Sequence, residues 1–424
     1  MRYISLIFLF LTAITLKGQV QFENYFHDKS LRLDYYHSGD SESEHYAIDE
    51  LIEEPWWGGS KTNLIDTFNF GAYCFRVYDL KSDSLIYSRG YSTLFGEWQT
   101  IAEAKETKRS FSESLIFPFP KADVRVEFLS RDESGSFTKK FEYTVNVDSY
   151  FIRPGRNMEY PVYDAYISGD PSEKVDIVIL PDGYTEEELD LFKEDCEKFA
   201  NYLFSFKPYD QNRNKFNIYG VLAPSGESGV DKPGDSVWKK TILNSSFYTF
   251  DSERYCMTMD NKSMRDLAAN APYDQIYILA NDPKYGGGGI FNQYCLSVNS
   301  NLAAAKIIIH EFGHGFAGLG DEYYNSEVAY SEFYPTDIEP WEPNITTLVD
   351  FDSKWKHLLA DSIPVPTPPL PRYMSSLGVF EGGGYVAKGV YRPRYDCLMN
   401  TFNGDSFCGA CREAIRKMID FYCD

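Results

Sequence analysis

The chain has 424 residues, with 41 Lys+Arg against 63 Asp+Glu and a formal net charge of −22. A polyanion of this kind excludes nucleic acid and an anionic membrane surface as natural partners. With 43% apolar and 25% charged residues it has the balance of a globular protein rather than a disordered one, and its length allows two or three domains.

Met1 to Gly18 begins with Arg2 and continues as an almost unbroken apolar run, Ile4 to Leu16. That run is too short to span a bilayer comfortably and is followed by polar sequence, the pattern of an export signal. Residues 1–18 are therefore read as a signal peptide. The mature chain is expected to carry no membrane span and to be periplasmic, cell-surface or secreted.

From about residue 20 to 150 the pattern is all-β. Asn69–Asp79, Ala122–Phe128 and Phe137–Val147 alternate apolar and polar positions, and Arg131–Gly135 supplies a turn. The 33 Tyr and 31 Phe fit the same reading. A β-sandwich over residues 19–152 follows. Trp56-Trp57-Gly58-Gly59 reads as a buried loop anchor in it, and Cys74, mid-strand, as core.

The linker is near Tyr150–Tyr163. Beyond it, residues 153–424 read as an α/β domain. Val175–Leu180, Lys215–Val221 and Gln275–Ala280 are strands by composition, and Tyr294–Val298 an edge strand. A helix from Tyr184 to about Phe204 starts at a capping box, Thr185 with Glu188. Gly286–Gly289 reads as a mobile loop; it lacks the lysine and spacing of a phosphate loop. The stretch Ile290–Ser297 is expected to bind substrate backbone by strand addition.

The chemistry begins at Ala303–His314, an apolar helix carrying His310-Glu311-Phe312-Gly313-His314. The two histidines are four residues apart, so both imidazoles project from one helical face and can reach one Zn²⁺. Glu311 is then placed to act on a metal-bound water. Gly318 and Gly320 can end the helix and turn the chain back. Asp321 is the expected third ligand. Glu322 is the alternative ligand, or a partner of the ligating rings. A third protein ligand leaves one coordination position for catalysis.

Asn325–Lys388 is dense in Pro and Gly, with Pro364, Pro366, Pro368, Pro369, Pro371 and Gly382–Gly384, and reads as a long loop walling the cleft. Asp350–Ala360 is a candidate short helix. Four of the eight cysteines lie near the C-terminus: Cys397, Cys408, Cys411 and Cys423. They could hold a structural zinc. In an exported chain, disulfides or plain buried thiols are favoured, and four cysteines allow three pairings.

The zinc motif, the glycine turn, the acidic ligand and a later methionine together resemble a metzincin. The usual spacing, H-E-x-x-H-x-x-G-x-x-H/D, is met after a one-residue insertion, because Ala317 stands where the glycine should be. The chain resembles more closely the IgA peptidase family of bacterial zinc endopeptidases. Leu180–Thr185, Ala223–Asp231, His310–Tyr323 and Gly389–Met399 carry that resemblance, which spans most of the chain from about residue 160.

The resemblance implies a catalytic domain joined to an N-terminal β domain, a metzincin-like α/β fold and Met399 as the methionine turn beneath the metal. It implies one catalytic Zn²⁺ and a protein or peptide substrate, immunoglobulin or other host glycoproteins among them. Tyr323 and Arg392 are candidate transition-state stabilisers. Two other readings are a non-catalytic surface binding protein with a structural zinc and a zinc amidase acting on cell-wall peptide. An intact Glu311 speaks against the first, since a structural site needs no general base. Nothing in the sequence reports oligomeric state.

Overall fold

A computed structural model describes residues 19–155, 158–324, 334–402 and 406–423. The expected signal peptide, 1–18, lies outside them. Among the described residues no helix is long and apolar enough to cross a membrane.

The N-terminal part is all-β save for a single turn, α1 (Phe22–Tyr25), one short helix, α2 (Leu94–Gln99), and a 3-10 turn, Ala102–Lys105. Its strands are β1 (Phe26–Gly39), β2 (Glu44–Glu54), β3 (Tyr73–Asp79), β4 (Leu85–Tyr91), β5 (Arg109–Pro120), β6 (Val124–Arg131), β7 (Phe137–Val145) and β8 (Ile152–Pro154). They form two four-stranded sheets, ordered β5-β1-β2-β8 and β4-β3-β6-β7. Period-2 alternation turns Leu31, Leu33 and Tyr35 of β1 toward Phe75 and Val77 of β3 and Val126 and Phe128 of β6, so both sheets bury one shared aromatic core. Trp57 is buried in it and Trp56 is exposed.

The second part is built on six strands: β9 (Val162–Tyr166), β10 (Val175–Asp182), β11 (Phe216–Val221), β12 (Gln275–Ala280), β13 (Gly287–Ile290) and β14 (Tyr294–Val298). Their order is β13-β14-β12-β10-β11-β9. The four inner strands are parallel, and both edge strands are antiparallel to their neighbours. The inner strands are apolar almost throughout because both faces are covered. Ile177 and Ile179 face α3 (Leu189–Leu203), α5 (Ala304–Ala317) and α6 (Gly409–Cys423). Val178 and Leu180 face α4 (Asn261–Ala268) and, from the N-terminal part, Phe95 and Trp98 of α2.

The two parts are therefore packed on one another. Arg32, fully buried in β1, pairs with Asp34 at 3.1 Å, Glu54 at 3.2 Å and, across the junction, Asp266 of α4 at 2.7 Å. Asn292 Nδ2 donates to Gly90 O at 2.7 Å and the Ser92 backbone amide to Phe291 O at 2.9 Å.

Several local expectations change. Gly287–Gly289 is not a mobile loop but the body of the edge strand, one strand further out than Tyr294–Val298. Glycine reads as loop because of its backbone entropy; here it allows β13 to lie directly on α5. A Cβ on Gly289 would stand 2.3 Å from Glu311 O. In place of one helix over Asp350–Ala360 there are two 3-10 turns, Phe351–Ser353 and Lys356–Leu358. Part of the long segment, 325–333, lies outside the described residues. Its far end forms a hairpin, β15 (Phe380–Gly383) with β16 (Val386–Arg392). The capping box is present, but Glu186–Glu188 is a 3-10 turn leading into α3.

Candidate metal centre and its cleft

Helix α5 packs Ile308, Ile309, Phe312 and Phe316 into the core, which leaves His310, Glu311 and His314 on the side facing β13. Gly318, at φ +61°, ends the helix. Its amide donates to His314 O at 3.0 Å, and that of Leu319 to Gly313 O at 3.1 Å. This left-handed cap reverses the chain and brings Asp321 back to the histidines.

His310 Nε2 and His314 Nε2 are 3.1 Å apart. Asp321 Oδ1 lies 3.1 Å from the first and 3.3 Å from the second. His310 Nδ1 donates to Leu398 O at 3.0 Å, and His314 Nδ1 to Leu319 O at 2.5 Å. With Nδ1 protonated on both rings, each Nε2 presents a lone pair to the same point. Asp321 Oδ1 is buried with no hydrogen-bond donor. The other oxygen, Oδ2, accepts from Tyr323 Oη at 2.8 Å and from Tyr385 Oη in a shorter contact. Three electron-pair donors thus converge with nothing cationic among the neutral groups, and a divalent ion fits that donor set.

With no cation bound, the Asp321 charge is compensated instead by protons on the rings, which a metal would displace. Burial works against charge on both rings, but the Asp321 carboxylate outweighs it and pushes His314 up to about 9. His310 is raised for the same reason, and the two rings hold the buried Asp321 carboxyl well below its usual range. The pocket is one that gathers positive charge. Glu311 sits beside it, its Cγ 3.3 Å from where a Cβ on Gly287 would lie. Burial pushes its carboxyl up, partly opposed by the two histidines.

These groups form the floor of a cleft of about 620 Å³. One wall is β13. Another comes from the N-terminal part, where Ser92, Thr93, Gly96 and Glu97 reach the cleft. Burial pushes Glu97 up to about 7, and it accepts a short hydrogen bond from Tyr255.

The other sequence-selected residues separate. Met399 is fully buried beneath α5, with Sδ 3.1 Å from where a Cβ on Gly313 would lie. Tyr323 lines the cleft. Glu322 points away from the histidines: Asn344 Nδ2 donates to Oε1 at 3.0 Å and Cys411 Sγ lies 3.2 Å from it. Arg392 is not brought to the cleft. Its guanidinium donates to the carbonyls of Glu381 at 3.0 Å, Gly382 at 2.5 Å and Tyr395 at 3.2 Å, inside the hairpin. All eight cysteines are free thiols, so of the two outcomes favoured for the C-terminal set disulfides are not formed; Cys397, Cys408 and Cys411 are buried thiols and Cys423 is half-buried. Tyr385, Glu97 and the carbonyl of Leu398 had no sequence signal, since each meets the site only through the fold, whereas the Leu319 carbonyl is delivered by the local Gly318 cap.

Residues 165–374 and 369–419, more than half of the chain, match the sequence profile of IgA Peptidase M64. Residues 21–142 match that of the Peptidase M64 N-terminus. No curated protein matches the chain.

Proposed function

The chain belongs to the IgA peptidase M64 family and is a metallopeptidase, a hydrolase acting on peptide bonds; from that premise we propose that it is an exported, zinc-dependent endopeptidase of metzincin-like fold. The observation that carries this reading is the convergence of His310 Nε2, His314 Nε2 and Asp321 Oδ1 on one point in the floor of a cleft. Two imidazoles and a carboxylate suit zinc and leave a position free for catalysis. When bound there, zinc supplies Lewis acidity, which makes water nucleophilic near neutral pH and polarises a carbonyl.

The chain's own residues do the rest. The Leu398 and Leu319 carbonyls fix the tautomer of each ring. Tyr323 and Tyr385 hold the Asp321 carboxylate in place through Oδ2, leaving Oδ1 directed at the histidines. A carboxylate oxygen of Glu311 accepts a proton from the attacking water and delivers it to the leaving amine. Its raised pKa suits a group that must both take and give that proton. The stretch Ile290–Ser297 is not free to add a substrate strand, because β14 is hydrogen-bonded on both sides; the edge strand β13 offers its main-chain groups to an extended substrate instead.

Protein substrates follow from membership in a peptidase family, and the family's name makes immunoglobulin A the first to try; other host glycoproteins come next. Membership also sets aside the reading as a non-catalytic binding protein. A peptide-library digest, with and without a chelator, tests the proposal alongside zinc content of Asp321→Ala. Internal cuts abolished by the chelator, with lowered zinc in the variant, are expected. Chelator-insensitive cleavage, or equal zinc in variant and wild type, would overturn it. Cuts confined to cell-wall peptides would make the enzyme an amidase.

A further inference from the structure

A second cluster of metal-ligating side chains lies behind the first. The Sγ atoms of Cys397, Cys408 and Cys411 and a carboxylate oxygen of Glu322 all lie within 4.8 Å of one another. All four residues are at most 1% exposed. Cys408 Sγ is 3.4 Å from Cys411 Sγ, which is 3.9 Å from Cys397 Sγ and 3.2 Å from Glu322 Oε1. Thiolates about 2.3 Å from a tetrahedral ion stand about 3.7 Å apart, so these spacings need only small adjustment.

Backbone donors already point at two of the sulfurs, so thiolates formed on binding a cation would be met by hydrogen bonds. Cys408 immediately precedes α6, and the N-terminal end of a helix favours negative charge. The Cys408 amide donates to Cys397 Sγ at 3.2 Å, and the Cys411 amide to Cys408 Sγ at 3.5 Å. Glu322 Oε2 is buried without a hydrogen-bond partner. A buried carboxylate in that condition is costly unless a cation meets it. A disulfide would use only two of the three sulfurs and leave Glu322 unmet. The fourth C-terminal cysteine, Cys423, is elsewhere, with Sγ 3.5 Å from Lys215 O.

We propose that Cys397, Cys408, Cys411 and Glu322 form a second, structural site for a thiophilic divalent ion, zinc above all. Binding releases the thiol protons to solvent. The site braces the first one from behind. Glu322 follows Asp321 directly, and its amide donates to Met399 O at 2.8 Å. Cys397 precedes Leu398, whose carbonyl orients His310. One ion would thus fasten the acidic loop, the methionine turn and α6 together.

The test uses the full chain and a double variant, His310→Ala/His314→Ala, which leaves the second site alone. Metal content is counted by mass spectrometry, and cobalt(II) is exchanged in to look for thiolate-to-metal charge-transfer absorption. Two equivalents in the wild type and one in the double variant are expected, with the absorption present in both. Cys408→Ser should lose one equivalent and the absorption. Should that variant not fold, the wild type and the double-histidine variant still decide. A double variant with no ion and no such absorption, or a chain two protons lighter through a disulfide within the cluster, would overturn the proposal. The result does not depend on whether the chain hydrolyses peptides.

Discussion

Tyr385→Phe removes one of the two hydroxyls on Asp321 Oδ2 without replacing a metal ligand. A hydrogen bond to a charged group contributes about 1.5–3 kcal/mol. At about 1.4 kcal/mol per decade this is roughly a 10–100-fold loss of metal affinity, which agrees with the effect usually seen when a ligand's supporting partner is removed. Tyr323 still donates at 2.8 Å, so the single variant should fall near the lower figure. Tyr323→Phe/Tyr385→Phe should lose more than either single change, without strict additivity, because the two share one acceptor. The assay is competition between the protein and a chromogenic chelator, run beside peptide hydrolysis at saturating zinc. The account expects weaker metal binding with hydrolysis largely restored by excess zinc. Unchanged affinity with hydrolysis lost at saturating metal would refute it, because Tyr385 would then act on the reacting substrate.

Three further outcomes are expected. Arg32→Met leaves Asp34, Glu54 and Asp266 buried without their cation and should cost about 3–5 kcal/mol. Burial already raises the Asp34 and Glu54 carboxyls against the pull of Arg32. A carboxylate whose folded pKa is raised loses stability as pH rises, so the defect in thermal unfolding should be largest at neutral pH and shrink in mild acid. Gly289→Ala places a methyl 2.3 Å from Glu311 O and 3.0 Å from His314 Cβ; a loss of about 1–3 kcal/mol should accompany reduced kcat/KM, measured by calorimetry and peptide hydrolysis. Glu97 is raised from 4.5 to about 7 by burial, so stability should fall as pH climbs between those values, by on the order of 3 kcal/mol. Glu97→Gln should flatten that slope in chemical denaturation across pH.

Local spacing made the centre of this site legible. His310, Glu311 and His314 are placed by helical geometry alone, and Asp321 by the glycine cap that follows. The inner strands of the second sheet were legible too, because burial on both faces writes an unbroken apolar run such as Val175–Leu180. What was not legible is set by distant juxtaposition. Tyr385 stands 64 residues from Asp321, and Leu398 88 residues from His310. Glu322 joins cysteines up to 89 residues away, so the C-terminal set could not be assembled by counting cysteines. The glycines of β13 misled for a different reason: the packing that makes glycine necessary there belongs to α5, not to the strand's own sequence.

Peptide hydrolysis by Glu311→Gln, measured on protein whose metal content equals that of the wild type, shows whether Glu311 moves the proton. The account predicts a rate lower by about 10²–10⁴-fold, the share of a general acid–base group, with the metal still bound. Wild-type hydrolysis in a fully loaded Glu311→Gln protein would contradict it.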